Sequence, residues 1–204
     1  PLLKVPHGIE KVKKIERKTE PNTLKLLWYG PLYPWYEPEL LLKELGDHLK
    51  IEIDFVGAEH PRYKKVYNSY YKRLFFKDID NISNITLKKE YVEDKKPLFE
   101  QYDAGIIISR NWLEEKYAVR SRILEMMSYG LPVITNRGNS LFEELNPFCN
   151  EGLIGVDTSN IKEELENILE KKETVLSFEN PEKLYQHFNW NKVMAPVIDY
   201  INRF

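Results

Sequence analysis

The sequence has 204 residues, 42% hydrophobic and 30% charged, with nine Gly and twelve Pro; this excludes a collagenous, low-complexity or wholly disordered chain and predicts one full-sized domain or two small ones. Thirty Lys and Arg against thirty-two Asp and Glu give a formal charge of -2, so the chain lacks the footprint of a general nucleic-acid binder and any anion site has to be local. The single cysteine, Cys149, excludes an internal disulfide framework and a multi-cysteine metal site and suits a reducing compartment, and the sequence shows neither a secretory signal nor an apolar run near the roughly 18–20 residues of a membrane span.

The chain opens on Leu2-Leu3-Lys4-Val5, an apolar start that predicts preceding sequence, up to a whole domain, upstream of Pro1. Residues 10–22 are dense in Lys, Arg and Glu with few apolar positions and read as an exposed linker. From there strand-like runs alternate with helical patterns. The expected strands are 2–5, 24–29, 51–56, 85–88, 104–109, 132–135 and 153–156, and the expected helices 38–49, 62–76, 97–102, 119–129, 140–145 and 160–171. Runs such as Gly105-Ile106-Ile107-Ile108 fit strands buried on both faces. The fold class is therefore α/β, a doubly wound, Rossmann-like parallel sheet of about six strands with right-handed crossovers. From Pro181 onward Phe188, Trp190, Val193, Val197 and Ile201 recur at helical spacing. They predict a terminal amphipathic helix bent near Pro196, its stripe serving as core or as an interface with a neighbouring domain.

An open parallel sheet binds ligands outside the carboxyl ends of its strands, so the residues just after each strand carry the functional expectation. After 24–29 come Gly30 and the aromatics Tyr33, Trp35 and Tyr36, which form either a rigid wall beside a ligand or a proline-stiffened turn packed on the next helix. After 51–56 comes Gly57, followed by His60; a lone histidine with no nucleophile nearby reads as structural. The richest stretch runs from Ser109 through a polar loop into the helix 119–129. There Val119, Ile123, Met126 and Met127 share an apolar face, and Ser121, Arg122, Glu125 and Ser128 point elsewhere. Arg120 and Arg122 beside the helix start suit a phosphate, and Glu125 one turn further in suits the two hydroxyls of a ribose. A surface pair between Arg122 and Glu125 is the structural alternative. The loop at Gly138 fits a diphosphate or a simple capped turn equally well. Asp78-Ile79-Asp80 lies in a polar turn rather than after a hydrophobic strand and is not read as a metal site, and the aromatic helix 62–76 reads as core. No G-x-G-x-x-G follows any strand, which argues against a dinucleotide oxidoreductase.

Four stretches carry a resemblance. Val5-Pro6-His7-Gly8-Ile9-Glu10 is similar to a "VPNGID" strand and turn, and Leu26-Leu27-Trp28-Tyr29-Gly30 and Phe55-Val56-Gly57 to glycine-ended strands. Arg122-Ile123-Leu124-Glu125-Met126-Met127-Ser128-Tyr129-Gly130-Leu131-Pro132-Val133-Ile134 is similar to "K-x-L-E-A-M-A-x-G-x-P-V-V". Together they resemble the carboxy-terminal half of the retaining, nucleotide-sugar-dependent glycosyltransferases of the GT-B fold, family 4 type, over nearly the whole chain. The resemblance implies a donor-binding domain for a nucleoside-diphosphate sugar, with Glu125 on the donor ribose and no obligatory metal or other cofactor. The first glutamate of that family's Glu-x7-Glu pair corresponds to Tyr117, leaving Glu114 or Glu115 as sugar contacts. The family's basic residues after the first strand are absent from 30–38, so phosphate charge is expected to meet Arg120, Arg122 or the helix start, with Gly30, Gly57, Ser109 and Gly138 lining the site. The resemblance further implies a missing amino-terminal domain that binds the acceptor, a glycan, lipid or protein, and against which 181–204 docks. It implies a cytoplasmic enzyme, at the inner membrane face when complete, with this half alone inactive. The competing expectation is a nucleotide-binding or interaction module that kept the fold without catalysis.

Overall fold

A computed structural model describes residues 8–33, 35–58, 79, 82–88, 91–110, 121–138, 142–145 and 151–203. Its strands are β1 (Leu24–Tyr29), β2 (Ile51–Val56), β3 (Ile85–Lys88), β4 (Ala104–Ile107), β5 (Val133–Asn136) and β6 (Leu153–Val156). They form one sheet in the order β3-β2-β1-β4-β5-β6, and every pairing is parallel. The apolar runs drive this arrangement. All of β4 and β5 and nearly all of β1 and β2 are buried, as strands covered on both faces by helices must be. The order reverses between β1 and β4, so a crevice opens there at the carboxyl ends of the two central strands.

Among the described residues the helices include α1 (Pro38–Leu45), α2 (Lys95–Phe99), α3 (Ser121–Ser128), α4 (Ile161–Glu170), α5 (Lys172–Val175), α6 (Pro181–Phe188) and α7 (Trp190–Ile201). The apolar face of α3 buries Ile123, Leu124, Met126 and Met127. Gly105 lets the helix come this near the sheet, because a Cβ there would lie 2.5 Å from the Met126 Sδ. α1 stops at Leu45, short of the expected 49, where the Gly46 N–H donates to the Leu42 carbonyl and Asp47 takes a left-handed φ of 62°. β4 likewise ends at Ile107, since Ser109 forms an antiparallel bridge with Tyr36 of the loop after β1. The expected strand 2–5 and helix 62–76 lie outside the described residues.

Residues 10–22 are not a loose linker. The N–H groups of Lys13, Ile15 and Lys18 donate to the carbonyls of Ser128, Tyr129 and Glu100, and Ile15 is buried. Arg17 donates to the Asp103 and Leu176 carbonyls. The segment is a strap whose backbone bonds, rather than an apolar stripe, hold it against the domain. Beneath it Lys172 reaches Asp103 at 2.7 Å and donates to the carbonyls of Glu20 and Thr23.

The tail also differs from a single helix bent at Pro196. The break is at Asn189, whose side chain caps α7 by accepting from the Lys192 N–H, and Pro196 lies within α7. α6 packs on α3 and buries Leu184 and Phe188. α7 buries only Val193, while Trp190, Ile198, Tyr200 and Ile201 are exposed. The stripe is thus divided between a core-facing helix and a surface one.

Candidate functional site

The loop after β1 begins at Gly30, whose φ of 94° belongs to the left-handed region. A Cβ on Gly30 would stand 2.9 Å from the Arg122 Nε, so the missing side chain makes room for the guanidinium. Arg122 donates to the Pro31 carbonyl at 2.8 Å and the Tyr29 carbonyl at 3.4 Å. Its guanidinium carbon lies 5.1 and 5.3 Å from the Tyr33 and Tyr36 ring centres, within cation–π range. Arg122 therefore ties α3 to the loop after β1, and it pairs with backbone carbonyls there rather than with Glu125. The loop is further tied to the end of β4: the Glu37 N–H donates to the Ile108 carbonyl and the Arg110 N–H to the Trp35 carbonyl. Tyr33 and Trp35 stack at 4.5 Å. The aromatics are thus packed against one another and against Arg122.

Glu125 faces α2. Its Oε1 forms an ion pair with the Lys95 ammonium, which lies 5.8 Å from the Tyr29 ring centre and 6.0 Å from that of Tyr91. Burial opposes the Lys95 charge, but the hydrogen bond and negative charge of Glu125 outweigh it and hold the ammonium pKa above the ordinary lysine value. The Tyr29 phenol is pushed far above its usual range, first by burial and then by Tyr91 and the Glu125 charge, so it stays neutral. The pair opens into a cleft of about 420 Å³ lined by Ile9, Lys11, Lys13, Lys95, Glu125 and Trp190, among others, within the roughly 300–1,000 Å³ typical of small-molecule sites.

Of the other expected site residues, Gly57 ends β2 with φ 70° and its N–H donates to the Lys88 carbonyl. Ser109 is buried beside β5, its N–H donating to the Asn136 side chain at 3.1 Å. Gly138 follows β5 with φ 81° and open space around it. Arg120, Glu114, Glu115, Tyr117, His60, Asp78 and Asp80 lie outside the described residues. Sequence reading missed Lys95, because it stands 30 residues from Glu125 on another element and no spacing rule links them. It missed the strap lysines for a related reason, having taken their segment as exposed linker.

No model of a known protein family matches the sequence, and no curated protein does. Solved structures do. Anabaena HepE in complex with UDP-glucose matches with a TM-score of 0.67 at 17% identity, over 90% of this chain and 50% of that one. The fold is that of the GT-B glycosyltransferases. A glycosyltransferase from Rickettsia africae matches at 15% identity and TM-score 0.64, over 89% of this chain and 48% of its own. Sucrose-phosphate synthase from Thermosynechococcus elongatus matches at 14% and 0.63, over 98% and 51%. The chain spans about half the length of these GT-B proteins, and its cleft lies along α3, walled by the strap, α2 and α7.

Proposed function

We propose that the chain is the donor-binding half of a retaining glycosyltransferase that moves a sugar from a nucleoside diphosphate to an acceptor. One observation carries this reading: on a sheet of GT-B topology, Glu125 opens from α3 into a cleft of small-molecule size, paired there with Lys95, whose ammonium lies beside the ring of Tyr29, the last residue of β1. There its carboxylate suits the two ribose hydroxyls, and cations in the cleft suit the diphosphate leaving group, whose charge grows in the transition state. The match to a UDP-glucose complex supports a nucleotide sugar as the ligand class.

A reading without catalysis draws on Glu125 being paired with Lys95 and on Tyr117 standing where the resemblance expects a glutamate. Thermal unfolding with UDP-, GDP-, dTDP- and CDP-sugars tests the nucleotide assignment common to both. A site that binds at a hundredfold excess over Kd gains about 2.7 kcal/mol, a rise of several degrees for a domain of this size. At least one sugar nucleotide is expected to raise the midpoint, and Glu125→Ala to reduce that rise. No response to all four would overturn the assignment.

A further inference from the structure

A diphosphate needs cations, and the described residues near the cleft restrict where they come from. The loop 30–38 has no basic residue. Arg122 donates to the Tyr29 and Pro31 carbonyls and lies over the Tyr33 and Tyr36 rings, so turning it to a ligand would release the loop after β1. Lys13 donates to the Tyr129 hydroxyl at 3.0 Å, and Lys11 lines the cleft beside it from the strap. Lys95 differs from all of these. Its side chain is 19% exposed, its ammonium pairs with Glu125, and it lies within 6.0 Å of the Tyr29 and Tyr91 ring centres. Glu125, at 34% exposure, would repel a diphosphate if it stood there without a counter-charge.

We propose that Lys95 is a diphosphate-binding cation of the cleft: it neutralises Glu125 while the cleft is empty and turns its ammonium to the phosphates when a nucleotide enters, releasing the carboxylate to the ribose. The proposal rests on the nucleotide reading above. The lysine head can make this exchange because it is a compact charge on a four-carbon stem with three rotatable donors, needing no fixed planar geometry. The outcome is a site that discriminates by phosphate content. A nucleoside has to separate Glu125 from Lys95 and gives the ammonium nothing in return, whereas a nucleoside diphosphate supplies a new partner for each group.

The test is calorimetric titration of the whole chain with UDP, GDP, dTDP and CDP and with the matching nucleosides, for the unaltered protein, Lys95→Met and Lys95→Arg. The preference for diphosphate over nucleoside is expected to fall at least tenfold in Lys95→Met, with tighter nucleoside binding as Glu125 is released, and to be largely kept in Lys95→Arg. The dependence of diphosphate binding on salt is expected to weaken in Lys95→Met alone. If Lys95→Met does not fold, Lys95→Gln takes its place in the same comparison. Diphosphate binding with an unchanged preference in the neutral variant would overturn the role of Lys95 and leave the nucleotide reading standing. Absence of binding by the unaltered chain to all four diphosphates would overturn the nucleotide reading, and this proposal with it.

Discussion

Arg122 shows how much a single residue's role depends on what surrounds it. In the sequence it stands one turn from Glu125 at a helix start, where a phosphate ligand and a surface ion pair are both reasonable. In the fold its guanidinium instead meets the Pro31 carbonyl at 2.8 Å and two aromatic faces. A clamp of this kind acts in the ligand-free protein. Arg122→Ala is therefore expected to lower stability by about 1.5 kcal/mol in urea unfolding, a charged donor's hydrogen bond being worth roughly 1.5–3 kcal/mol. Gly30→Ala should cost more than about 1 kcal/mol, from the left-handed φ and the 2.9 Å approach to the Arg122 Nε. Its cost should shrink when Arg122 is alanine, leaving only the backbone strain. Unchanged stability in Arg122→Ala would contradict the clamp.

At the scale of elements, the strands were legible because each is a short apolar run that has to be buried on both faces. Five of the six begin at the expected residue and the sixth, β5, begins one residue later, but β4 gives up its last two residues to a loop contact that only the three-dimensional approach of Tyr36 creates. The strap 10–22 was not legible. Charged residues predict solvent, yet Lys13, Ile15 and Lys18 are held through backbone groups that carry no side-chain signature. The anchoring below it is ionic: Lys172 is 7% exposed, Asp103 1%, and Asp103 also accepts from the Lys25 N–H at 2.8 Å. Removing one partner of a buried pair leaves the other charge uncompensated, at a cost of about 3–5 kcal/mol. Lys172→Met should lower stability by about 3 kcal/mol, and adding Asp103→Asn should return part of it, because the amide oxygen still accepts from Lys25. A loss below about 0.5 kcal/mol in Lys172→Met would show that the pair does not anchor the strap.

For the molecule as a whole, the doubly wound topology fixes where chemistry can occur more firmly than any single motif does. The reversal of strand order between β1 and β4 brings the loop from Gly30, the end of β4 and the start of α3 to one rim. From that rim α3, which resembles the glycosyltransferase signature, runs along the cleft and lines it with Glu125. The sequence could place Glu125 there through its helical spacing and its position after a strand. It could not supply Lys95, Lys13 or Trp190, which arrive from α2, the strap and α7 through tertiary packing. The opposite end of the sheet carries a different assembly, the buried Lys172 and Asp103 pair. The most direct test is therefore one of location: amide NMR spectra recorded as the sugar nucleotide with the largest thermal effect is added. The account predicts that signals of Gly30, Lys95, Ser121 and Glu125 move while those of Lys25, Asp103 and Lys172 stay in place. Shifts confined to the Lys25, Asp103 and Lys172 end, with Glu125 and Lys95 unmoved, would contradict it.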